Sequence, residues 1–259
     1  MKITPLAIAF AVCLLSACAS MPSQTHRNFV ACPVVRDTST VPCWLAEYEG
    51  ETYFLTIQTD VSAPVTPPWL GHRVLVEGVV SDEPRICGGV VLKPVKLSVI
   101  QDLDASCNTM LPAEDRYNLT FEPPRPPGPS RGRLSFGDPN TKPQASSTAL
   151  PRTFELQYEF DGMVMFRHAQ LLQQILEFAR QSGAKQLSIT GYRAASLLSN
   201  GQHMVEKEKI GQRRAEQIEE LLKGAGLTDV SYELRWKDVT KLSDGNDDAT
   251  RRRAEVVVK

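Results

Sequence analysis

Two hydrophobic periods run along this chain, and the change from one to the other divides it. From Phe29 to about Phe121 the dominant period is two. Trp44 to Tyr48 and Thr52 to Ile57 flank Glu49-Gly50-Glu51, a pattern that predicts a hairpin with a glycine turn. Arg73–Val80, Gly89–Leu92 and Lys96–Ile100 continue as short strands, so residues 29–121 are expected to form a small β-barrel or sandwich. From Thr153 onward strand and helix periods alternate. TFELQYEF (Thr153–Phe160) predicts a strand, and Ala169, Leu172, Ile175, Leu176 and Ala179 mark a helix from about Phe166 to Gln181. Gln186–Thr190 predicts a strand, Lys209 to Gly226 a helix, and Val230–Trp236 and Ala254–Val258 two further strands. This βαβαββ order implies a two-layer domain with helices on one face of a sheet, and an α+β class for the chain.

The second helix, KIGQRRAEQIEELLKGAG, contains one exception to its own pattern. Ile210, Ile218, Leu221, Leu222 and Ala225 share one side, while Arg213, Glu216, Glu219, Glu220 and Lys223 share the other. Arg214 lies four residues from both Ile210 and Ile218, in the middle of the apolar stripe. Such a cation belongs beside a pocket, or else it snorkels from a first turn that the apolar side does not yet cover.

Composition adds a break between the two patterns. Residues 122–152 hold eight prolines with serine, glycine and few large apolar side chains, the signature of an extended linker. At the other end, Met1-Lys2 precedes an apolar run from Ile3 to Leu15, which is too short to span a bilayer and is expected to be a signal peptide over 1–17. Leu15-Ser16-Ala17-Cys18 resembles a bacterial lipobox, which implies cleavage before Cys18 and lipid on that cysteine. Residues 18–28 would then be a tether. Ala19, in place of aspartate, implies the outer membrane under the sorting rule of such lipoproteins. Lys+Arg is 29 against 30 Asp+Glu, so no global charge steers the chain to nucleic acid. Cys32, Cys43, Cys87 and Cys107 remain, an even set that in an oxidising compartment predicts two disulfides with three possible pairings. Cys32–Cys43 and Cys87–Cys107 is the pairing expected, because sequence neighbours close hairpin-sized loops. No Cys-x-x-Cys pair or clustered histidine points to a metal, and no motif implies a cofactor. GHRVLVEGVVSDEP has a loose likeness to an oligonucleotide/oligosaccharide-binding (OB) barrel, without an aromatic platform or basic stripe. The N-terminal domain is therefore read as a structural spacer in preference to a ligand-binding module.

Three passages of residues 153–259 resemble the OmpA-like C-terminal domain of peptidoglycan-associated lipoproteins and flagellar stator proteins. Leu187–Tyr192 is similar to the family's strand ending in glycine and an aromatic. Ile210–Ile218 is similar to its Leu-Ser-x-x-Arg-Ala-x-x-Val helix, and Arg251–Val256 to its terminal Asn-Arg-Arg-Val-Glu-Ile. The resemblance implies noncovalent binding of the diaminopimelate stem peptide of peptidoglycan, with Arg214 pairing a ligand carboxylate and Tyr192, Arg252 and Arg253 around it. A guanidinium fork suits that contact. Three positions depart from the pattern: the family's aspartate falls on Ala194, its asparagine on Lys207 and its serine on Gly211. The connection from Tyr192 to Ile210 is also longer than the family's. Glu206 or Glu208 of that connection could enter the vacancy at Ala194, or both could belong to a charged solvent loop.

Two functions follow. One is an outer-membrane lipoprotein, facing the periplasm, that tethers membrane to wall. The other is an interaction lipoprotein of an envelope-spanning secretion or conjugation complex that keeps the fold but binds peptidoglycan weakly or not at all. An enzyme is not expected, since no Ser/His/Asp order or metal spacing is present and Glu155, Glu159 and Asp161 are read as solvent-facing.

Overall fold

The computed structural model describes residues 25–58, 67–117, 119, 149–164 and 168–259. The expected signal peptide, Cys18 and most of the proline-rich segment lie outside the described residues. The architecture is mixed α+β, with a seven-stranded sheet, a two-stranded ribbon and a four-stranded sheet that carries two α-helices.

The N-terminal half contains β1 (His26–Ala31), β2 (Pro33–Arg36), β3 (Cys43–Tyr48), β4 (Glu51–Ile57), β5 (His72–Val80), β6 (Val90–Leu103) and β7 (Met110–Leu111). Glu49 and Gly50, with φ of 51° and 78°, make the left-handed turn between β3 and β4 that the glycine signalled. The strand order is β1-β5-β6-β4-β3-β2-β7. Among the described residues this order has two free ends, so they do not form the closed barrel that short, evenly spaced strands suggested. Instead β1 and β2, consecutive in the chain, border β5 and β3 respectively. Phe29, Trp44, Tyr53, Leu55, Val74, Val76, Leu92 and Leu97 fill the core, and the Phe29 and Tyr48 rings stack at 4.6 Å.

The disulfides are Cys32–Cys107 and Cys43–Cys87, with Cα separations of 4.8 and 6.5 Å, not the sequence-adjacent pairs expected. Pairing follows the sheet rather than the chain. After β6 the backbone returns to the β1/β2 junction, where Val35 N–H donates to Thr109 O at 3.1 Å and Gly71 N–H to Cys107 O at 2.6 Å. That return brings Cys107 beside Cys32.

The C-terminal half contains β8 (Arg152–Gln157), α1 (Ala169–Ser182), β9 (Gln186–Arg193), β10 (Ala195–Leu197), β11 (His203–Val205), α2 (Ile210–Gly224), β12 (Ser231–Asp238) and β13 (Arg253–Val258). Its sheet runs β12-β9-β13-β8, with β12 and β9 parallel. Ala254, Val256 and Val258 alternate inward from β13 to meet Ile175 and Phe178 of α1 and Ile218 and Leu222 of α2 in one cluster. Helix α1 stops at Gly183, whose φ of 64° closes a left-handed cap. Helix α2 crosses β9 at two glycines. A Cβ on Gly191 would lie 1.9 Å from Gly211 O, so backbone meets backbone there without side chains between. The β10–β11 ribbon is the long connection between Tyr192 and Ile210, folded into a short arm.

The two halves touch through the N-terminal sheet. Asn28 and Glu77 are register partners on β1 and β5, and Ser98 of β6 is the partner of Leu75, two residues from Glu77. Alternation therefore places all of these on the face opposite Val74 and Val76. The buried run Val74–Val79 has this cause: one face covers its own core and the other covers the C-terminal half. Ser98 Oγ accepts from Phe160 N–H at 2.9 Å in that contact.

Candidate functional site: a carboxylate pocket closed from inside

Arg214 is wholly buried, at 0% exposure, among the residues that the α2 stripe should have left apolar. The close glycine contact allows this, because it lowers the first turns of α2 onto the end of β9. All five guanidinium hydrogens have acceptors. Nε donates to Gly162 O at 2.9 Å, and Nη1 to Tyr192 O at 2.8 Å and Glu206 Oε2 at 3.1 Å. Nη2 donates to Glu206 Oε1 at 2.6 Å and to Glu159 O at 3.3 Å. The guanidinium carbon lies 4.5 Å from the centre of the Tyr158 ring. Burial pushes the Tyr158 hydroxyl well above its ordinary pKa, with Arg214 opposing, so the ring stays a neutral floor.

Glu206, at 1% exposure, is equally saturated. Besides the two bonds from Arg214, its oxygens accept from Ala194 N–H and Asp161 N–H, both at 2.9 Å. Asp161 Oδ1 in turn accepts from Lys207 N–H at 2.7 Å, and Arg193 Nε donates to Glu206 O at 2.8 Å. A bidentate arginine and two backbone amides make a complete carboxylate receptor. Its occupant is a side chain of this chain, delivered by the residue that follows β11. Of the two acids in the long connection, Glu206 enters the vacancy at Ala194 and Glu208 is exposed.

The other residues named for the site do not join Arg214. Tyr192 lends only its carbonyl. Its side chain leaves the opposite face of the sheet, where the hydroxyl donates to Glu255 Oε2 at 2.8 Å and Arg253 lies 4.4 Å over the ring. Burial, then the Glu255 contact, raises the Tyr192 hydroxyl pKa. Arg253 is held on that face by Glu255 at 3.0 Å. Arg252, 1% exposed, turns into the contact between halves, where Nη1 donates to Glu77 Oε1 at 3.1 Å and to Ser196 Oγ at 2.8 Å, and Nη2 donates to Glu77 Oε2. The terminal arginines separate because Arg253 opens β13 on the Tyr192 face, while Arg252 lies in the bend before that strand and turns toward Glu77.

Sequence reasoning missed Glu77 and Asp161. Glu77 carried the same kind of signal as Arg214, a lone charge inside the apolar run VLVEGVV. Asp161 was read as solvent-facing, yet its backbone, at φ 55°, clasps Glu206. A cleft of about 250 Å³ opens beside the site between Arg193, Lys209, Gln212, Trp236, Lys237 and Asp238, and Arg214 does not line it.

No family model matches the chain, and no curated protein does. Among solved structures, the chain is similar to the OmpA-like domain of FopA1 from Francisella tularensis subsp. tularensis SCHU S4, at 15% identity and TM-score 0.32, over 41% of this chain and 73% of that one. It is similar to the peptidoglycan-associated lipoprotein from Burkholderia pseudomallei at 24% identity and TM-score 0.33, over 40% and 89%. The cell wall anchor of the T6SS from Pseudomonas aeruginosa aligns at 19% identity and TM-score 0.31, over 42% and 82%.

Proposed function

We propose that this protein is an outer-membrane lipoprotein, anchored through Cys18 and facing the periplasm, that serves as an interaction subunit of an envelope assembly. Its C-terminal half, residues 153–259, is OmpA-like and keeps its carboxylate pocket shut. One observation carries this reading: Glu206 satisfies Arg214 where a ligand carboxylate would sit. A stem-peptide carboxylate from outside would have to displace a tethered one, whose effective concentration is on the order of millimolar or more. Wall tethering at Arg214 thus depends on a single event, the departure of Glu206.

The N-terminal half acts in this reading as a structural spacer, docked on the C-terminal half through Asn28, Glu77 and Ser98. The buried carboxylates among the described residues, Glu77, Glu206 and Asp248, all spend their oxygens on arginines, backbone amides or a serine hydroxyl.

The test is co-sedimentation of the soluble chain from residue 19 onward with diaminopimelate-type peptidoglycan, beside Glu206→Ala, Ala194→Asp and Arg214→Ala, each checked for folding by circular dichroism. The natural chain is expected to stay in the supernatant, and Glu206→Ala to pellet with the wall. Pelleting of the natural chain that Arg214→Ala abolishes would overturn the closed-pocket reading and establish the tether.

A further inference from the structure

The carboxylate that closes the pocket is carried on an arm, and the N-terminal sheet holds that arm. The β10–β11 ribbon pairs Ala195–Leu197 with His203–Val205, with one backbone hydrogen bond beyond each end, Glu206 N–H to Ala194 O at 3.1 Å and Leu198 N–H to Gln202 O at 2.8 Å. A two-stranded hairpin is at best marginally stable by itself. Its further support comes from residues distant in sequence. Ser199 N–H donates to Asn28 O at 2.7 Å, and Asn28 N–H donates back to Ser199 Oγ at 2.9 Å. Asn28 Nδ2 donates to Leu197 O at 3.1 Å and Gly245 O at 2.8 Å. Ser196 Oγ donates to Glu77 Oε1 at 2.7 Å, in the same cluster that receives Arg252. Asn28 and Glu77 face each other across β1 and β5, so one patch of the N-terminal sheet grips the arm at residues 196, 197 and 199. From the C-terminal half, Asp248 Oδ2 takes Leu197 N–H at 2.8 Å.

We propose that the N-terminal sheet is the keeper of the Arg214 pocket: while Asn28 and Glu77 hold the β10–β11 arm, Glu206 stays on Arg214, and release of that grip opens the pocket to an outside carboxylate. This rests on the closed-pocket reading above and adds what controls the closure. A partner that takes the Asn28/Glu77 face of the N-terminal sheet competes directly with the arm. Coupling then needs no route through the core, because the controlling contact and the plug share the same short ribbon.

Hydrogen exchange on the whole mature chain tests it. The amides of Asp161 and Ala194 donate to Glu206 and report directly on whether it is seated. Two variants release the grip. Glu77→Gln removes the charge that anchors Ser196 and Arg252, and Asn28→Ala is milder, removing only the side-chain bonds to Leu197 and Gly245. Exchange at Asp161 and Ala194 is expected to rise roughly ten-fold or more in Glu77→Gln, which loses hydrogen bonds to a charged group, and roughly three-fold or more in Asn28→Ala, which loses neutral ones, while Ile189 and Val256 in the core keep their natural rates. Unchanged rates at Asp161 and Ala194, or a rise shared equally by Ile189 and Val256, would overturn the keeper. Glu206→Ala serves as the reference: if it leaves both amides protected, the closed-pocket reading itself fails, and that outcome is distinct from failure of the keeper alone.

Discussion

Arg214 and Glu206 are each fully desolvated, so neither can lose the other without leaving a charge stranded out of water. The Coulomb gain of such a pair roughly offsets the cost of burying it, whereas removal of one partner alone costs about 3–5 kcal/mol. Glu206→Ala is therefore expected to destabilise the chain by about 3–5 kcal/mol in urea titration. Pairing Arg214→Met with Glu206→Leu should cost much less than the two single changes together, a coupling a double-mutant cycle reads directly. Additive losses would mean that the two side chains contribute independently, through packing alone. Arg214 was legible as an anomaly because it broke a periodic stripe. The identity of its partner was not, since two glutamates stood in the long connection and only the path of the β10–β11 arm distinguishes them.

At the scale of elements, the contact that seats Arg214 is the crossing of α2 on β9. A Cβ on Gly211 would meet Gly191 O at 2.9 Å and the Tyr192 carbonyl carbon at 3.1 Å. Gly211→Ser, which restores the residue of the resembled helix motif, is expected to lower the melting temperature by several degrees, about what a loss of 1–3 kcal/mol produces. An unchanged melting temperature would show that the helix shifts freely and does not fix the pocket. The parallel edge strand β12 adds a pH-dependent brace, Asp238 to Arg193, which also holds Glu206 O. Hydrogen bonds from the Thr240 hydroxyl and amide, with Arg193 adding to them, hold the Asp238 carboxyl below the usual aspartate range. A carboxyl depressed on folding contributes stability above its unfolded pKa and loses it as pH falls through the folded value. The natural chain should thus exceed Asp238→Asn in stability by a constant margin above about pH 5, and the margin should shrink below about pH 4. A margin independent of pH would refute the brace. The helices and strands of this half were readable because their periods are long and clean. The sidedness of Tyr192, Arg252 and Arg253 was not, because adjacency in a motif does not say where the strand begins or to which side each residue turns.

Across the whole molecule, the order of strands in the N-terminal half decides both the disulfides and the docking face, and neither follows from spacing along the chain. Cys32–Cys107 spans 75 residues and Cys43–Cys87 spans 44, so each closes a loop far larger than the hairpins expected. Glu77 showed itself as a charge in an apolar run, but its partner Arg252 stands 175 residues away, beyond the reach of any local pattern. Long loops make these cross-links valuable in the chain-entropy account, at about 4 kcal/mol each. The half they stabilise also grips the arm over Arg214, so their loss should act on both halves in a definite order. With Cys32→Ser and Cys107→Ser together, the N-terminal sheet is expected to unfold at lower urea than the C-terminal half, giving two transitions. Buried Trp44 would report the first by fluorescence, and exchange at Ile189 and Val256 the second. The Asp161 and Ala194 amides should lose protection with the first transition, because release of Asn28 and Glu77 frees the arm before the core around Ile218 gives way. If those two amides instead follow the second transition, the arm holds Glu206 in place without the N-terminal sheet, and the link between the disulfide-bonded half and the pocket is broken.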